Sequence, residues 1–98
     1  MEAAVRQRAA LTRAQAQRVQ NAARAPGRWI MWFVTTSDPD RPGKAVVWAV
    51  VADATGANRV PGELVANTLD QLRAMLPAGL KRSEATELMP PEVIEVWG

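Results

Sequence analysis

The 98-residue chain contains no cysteine, no histidine and no tyrosine. Without cysteine there is no disulfide framework, no thiolate nucleophile and no thiolate ligand for a metal. Without histidine, the side chain that most often moves protons near neutral pH is missing. What remains does not assemble into a catalytic pattern. Ser37 and Ser83 have no base to activate them, and Lys44, Lys81 and the carboxylates stand at no recognisable catalytic spacing. Gly56 and Gly62 are not followed by Gly-Lys-Ser/Thr, so no phosphate-binding loop is present. Asp38, Asp40 and Asp53 offer oxygen atoms to a hard cation, but Asp38 and Asp40 flank Pro39, and Asp and Pro are turn formers. The expectation is a protein that is not an enzyme and has neither metal nor cofactor.

Long hydrophobic runs are also missing. The two longest, residues 29–34 and 45–52, fall well short of the roughly 20 apolar residues that a membrane-spanning helix needs. The first residues lack the continuous apolar stretch of a secretory signal. No membrane association is expected, and a cytoplasmic setting is the default. With 48% hydrophobic and 22% charged residues, the chain has the composition of one small folded domain.

Acidic residues are scarce at the beginning. Residues 1–28 hold six arginines against Glu2 alone, whereas residues 29–98 hold six basic and nine acidic residues, giving +5 and −3. Two parts of a single domain follow: a basic arm at 1–27 and a body at 28–98. Between Glu2 and Arg24 there is no Gly and no Pro, and eight Ala, five Arg and four Gln favour helix. Ala25-Pro26-Gly27 ends that long N-terminal helix. On its surface Val5, Thr12 and Val19 lie in one shallow stripe of mostly alanine, a candidate seam against another helix. Arg6, Arg8, Arg13, Arg18 and Arg24 are candidate contacts to an anionic partner, including RNA or DNA phosphates.

The body begins with two runs rich in β-branched and aromatic residues, 29–36 and 44–53, joined by a Pro/Asp/Gly-rich stretch that suits a hairpin. Alternation puts Trp29, Met31 and Phe33 on one face and Ile30, Trp32 and Val34 on the other. Neither face is polar, so both sides of the sheet need cover. A helix from Pro61 to about Leu76, with Leu64, Leu69, Leu72 and Leu76 on one stripe, covers one of them. Residues 80–88 read as a short strand, a loop, or both. The run 92–97 after Pro90-Pro91 reads as a strand entering along an edge, with Trp97 as an edge anchor or a hook into a partner. The fold class is therefore α+β, a two-layer sandwich of order α-β-β-α-β, with a small mixed sheet and a long N-terminal helix.

One lid leaves one face bare. Either the first helix folds over it or another chain does, and the helix is long enough to project. The functional expectation is a small protein-binding or self-associating module. It would engage another protein chain, or a second copy of itself, through the first helix and an apolar sheet face containing Trp29 or Trp32. The alternative is an RNA- or DNA-binding accessory protein using the arginine-rich arm.

Overall fold

The computed structural model describes residues 9–84 and 89–98. Two helices and six strands follow one another as α1 (Arg13–Ala22), β1 (Trp29–Thr35), β2 (Ala45–Asp53), β3 (Gly56–Arg59), β4 (Leu64–Ala66), α2 (Leu69–Met75), β5 (Arg82–Glu84) and β6 (Glu95–Trp97). The strands form one sheet in the order β3-β2-β1-β6-β5, with β4 on β2 beside β3. The α+β class stands. Its expected order, its mixed sheet and its long first helix are corrected.

The first helix has ten residues because its start is fixed by Thr12. Thr12 Oγ1 accepts from the Gln15 amide at 3.1 Å, and Gln15 Oε1 accepts from the Thr12 amide at 2.8 Å, a reciprocal capping box. Upstream, Ala9 and Leu11 spend their backbone groups on Glu63: the Leu11 amide donates to its carbonyl at 2.7 Å and the Ala9 carbonyl accepts from its amide at 2.9 Å. The expected helical residues 2–8 lie outside the described residues.

Pro61 does not open a helix. Residues 64–66 pair with residues 45–47 of β2, and α2 begins only after Thr68, whose hydroxyl caps the Gln71 amide at 3.1 Å. Residues 60–63 span a stretch that Trp48 and Ala49 alone cover on β2, so a two-residue bulge separates β3 from β4. Gly62 supplies the φ of +91° at this bulge, and Leu11 fills the space above it.

The last strand is interior, not an edge, and runs antiparallel to β1. Pro90 and Pro91 sit in the preceding turn, where the Val93 amide donates to Pro90, so they remove no bond from the ladder. The open segment 80–88 contains β5, which forms a hairpin edge with β6 and provides the reversal that makes β6 antiparallel. Among the described residues the parallel contact is the isolated bridge of Ala10 with Glu63.

Both helices lie on one side of the sheet. Ala16 of α1 and Leu72 with Leu76 near α2 pack into one core with Trp32, Val34, Val47 and Ala49. The expectation that the first helix covers the reverse face is thereby corrected for its described residues. The reverse face carries Val46, Trp48, Val93 and Val96, with Met31, Phe33, Val50, Val65 and Met89 around them. Among the described residues no helix is long and apolar enough to cross a membrane.

Candidate functional site

The reverse face is covered at one end and open at the other. At the covered end Val93 and Met89 pack against Val46 and Trp48. Phe33 meets Trp48 edge-on at 6.0 Å, and the Arg59 guanidinium lies 4.6 Å from the centre of the Trp48 ring. Arg59 also bonds Glu63 Oε1 at 3.1 Å, while Arg41 reaches Glu63 Oε2 at 3.0 Å. Glu63 is fully buried at the bulge, so the two guanidinium groups stabilise a charge that water does not reach. A cleft of about 230 Å³ adjoins this end, lined among others by Ser37, Asp38, Trp48, Arg59 and Glu92. Asp38 Oδ1 accepts from the Asp40 amide at 2.9 Å within the turn, the role that the Asp-Pro-Asp sequence suggests. Among the described residues no group of three or more metal-ligating side chains comes together.

At the open end stands Trp29. The turn after α1 closes with the Arg28 amide on the Ala25 carbonyl, and β1 starts at once with Trp29 opposite Ala52 and Met31 opposite Val50. Trp29 is 63% exposed, and Met31, Val50 and Ala52 are half-buried. Its rim is charged and exposed, with Arg28 on one side and Asp53 at the end of β2. The Asp53 carboxyl is held below its ordinary value, first by the Thr55 hydroxyl at 2.6 Å, then by the Thr55 amide at 2.8 Å, with Arg28 contributing. An apolar centre with a polar rim is the usual anatomy of a protein-binding patch.

The other expected site residues are scattered. Trp32 is fully buried beneath α1, and its indole N–H donates to Gln20 Oε1 at 2.7 Å, so it is not available as a surface contact. Thr12 is exposed and caps α1, its hydroxyl accepting from the Gln15 amide. Val19 is half-buried, packs on the sheet of its own chain and borders an apolar groove of about 250 Å³. Trp97 is half-buried against the helix-side core, with its indole N–H on Glu95 Oε1 at 3.0 Å, and is neither edge anchor nor hook. Val5, Arg6 and Arg8 lie outside the described residues.

Arg13, Arg18 and Arg24 are exposed and form no ion pair with another described residue. In the body Arg41 and Arg59 pair with Glu63, and Arg73 and Arg82 with Glu95. Glu95 is a buried hub missed in the sequence. Its carboxyl is held below the ordinary value chiefly by the Arg73 hydrogen bond, which outweighs the opposing effect of burial, with Trp97 and Arg82 adding to it. The alternation in Glu95-Val96-Trp97 carried the signal: it puts a carboxylate on the same face as Trp97.

No protein-family model matches the chain, and neither a curated protein nor a solved structure matches it.

Proposed function

We propose that this chain is a non-catalytic binding module that docks another protein chain, or a second copy of itself, around Trp29, on the face of its sheet where no described helix packs. A cytoplasmic setting goes with this reading. One observation carries it: Trp29 is 63% exposed and continuous with half-buried Met31 and Val50, on a face where no described helix packs. An aromatic side chain buries about 150 to 250 Å², so covering Trp29 is worth on the order of 3 kcal/mol. That is the energy of an interface anchor. Both described helices are already engaged on the opposite side, which leaves this face without a helix among the described residues.

The test is light scattering across a concentration series, with Trp29→Gln beside the parent chain. Concentration-dependent association that the substitution abolishes, while thermal stability stays within about 0.5 kcal/mol of the parent, supports self-docking on this face. A substitution that unfolds the domain would make Trp29 structural and sink the reading.

A second reading, contact with RNA or DNA phosphates through α1, is favoured by one specific observation. The arginines of α1 and its flanks, Arg13, Arg18, Arg24 and Arg28, form no direct ion pair with a described acid, Arg28 acting on Asp53 only at longer range, whereas Arg41, Arg59, Arg73 and Arg82 all form one. Binding of this kind weakens steeply with salt. Affinity for a nucleic acid that ignores salt, or that survives replacement of these four arginines by glutamine, would exclude it.

A further inference from the structure

We infer that residues 9–23 form a strap that opens as a unit, uncovering Trp32 while the sheet and α2 stay folded. The strap is attached by small groups. Its fully or nearly buried residues are Ala16, Gln20 and Ala23, with Leu11 and Val19 half-buried beside them. In contrast, the other helix and its cap insert Leu72 and Leu76, flanked by Leu69 and Met75. Alanine offers one methyl group where leucine offers a full side chain, so α1 contributes little buried apolar surface for its length.

One margin of α1 is also open. A groove of about 250 Å³ runs beside it, bordered by Val19, Ala22, Ala23, Arg28, Val51 and Val60, almost entirely apolar. Water therefore reaches this margin of the contact between α1 and the sheet. The strap is therefore positioned largely by hydrogen bonds: Gln20 to the Trp32 indole, Gln17 Oε1 from the Ala78 amide at 3.1 Å, and the two backbone bonds of Ala9 and Leu11 with Glu63. Each of these can be exchanged for water when the strap lifts, so their net contribution is small. A joint is present at the end of the strap, because Arg24, Ala25, Pro26, Gly27 and Arg28 are all exposed and Gly27 has φ +78°. Elements with few buried apolar contacts open below the global unfolding threshold.

Native-state hydrogen exchange on the full chain decides it. Amides of residues 16–23 are expected to exchange about 100-fold faster, after correction for intrinsic rates, than amides of residues 32–34, which are flanked by β2 and β6, with a much weaker denaturant dependence. Fluorine NMR of the chain labelled with 5-fluorotryptophan gives a second readout. The Trp32 signal should show exchange with a minor state below the unfolding transition while that of Trp48 does not. Equal protection and equal denaturant slopes in α1 and β1, or exchange at Trp32 and Trp48 together, would overturn the inference.

Discussion

The side chain of Gln20 accepts a hydrogen bond from the indole of Trp32 at 2.7 Å, inside the contact between α1 and the sheet. Both residues are buried, so neither polar group has water as a ready substitute in the closed fold. Replacing Gln20 by Ala leaves the indole N–H unpaired and should cost about 1 to 3 kcal/mol. Trp32→Phe adds a cavity to the same loss. In a double-mutant cycle by urea denaturation the two should couple by about 0.5 to 1.5 kcal/mol. Additive effects would show that the bond contributes nothing to stability.

Gly62 and Leu11 make a second linked pair. A Cβ on Gly62 would stand 2.7 Å from Leu11 Cδ2, and the residue already has φ +91°. Gly62→Ala combines a backbone penalty with a clash and should destabilise by about 1 to 3 kcal/mol. Adding Leu11→Ala relieves the clash and not the backbone strain, so the double variant should recover part of the loss relative to the sum of the singles. Full additivity would place Leu11 elsewhere.

Glu95 predicts the acid limb of the stability curve. Its folded-state carboxyl lies below the ordinary glutamate value of 4.5, chiefly because Arg73 donates to it. A depressed value means that the unfolded chain binds the proton more readily than the folded one. The stabilisation is thus fully present above the ordinary glutamate value and is lost as pH falls through the depressed value. Glu95→Gln should lower the melting temperature near neutral pH and flatten its fall below about pH 4.5. An acid limb as steep as that of the parent would remove Glu95 from this role.

Much of the fold was legible in the sequence. Residues 29–36 and 44–53 announce β1 and β2 because they are β-branched, aromatic and bounded by turn formers, and their unbroken apolarity correctly implies a sheet with no polar face. Helix propensity misled at both helices for one reason. Residues 9–11 and 64–66 are helix-compatible, yet each is claimed by backbone pairing with a distant segment, Glu63 in one case and β2 in the other. Such pairing is tertiary and leaves no local mark. The caps were visible: Thr12 with Gln15, and Thr68 before Leu69, are start signals that the apolar periodicity overran.

The candidate site was half legible. Alternation places Trp29 and Trp32 on opposite faces, but which of them is covered depends on where α1 docks, and a stripe of alanine names no partner surface. Nor could spacing along the chain bring Arg41 and Arg59 onto Glu63, or Arg73 onto Glu95, because the first group is gathered at the bulge and the second joins residues 22 apart in sequence.

The most direct test of the account is a methyl NMR dilution series on the full chain. Docking of a second copy around Trp29, on the face where no described helix packs, predicts concentration-dependent shifts at Met31, Val50 and Ala52, with Ile30, Val34 and Val47 on the opposite face unmoved. Methyl signals unchanged over the whole concentration range, or shifts confined to the helix-covered face, would contradict it.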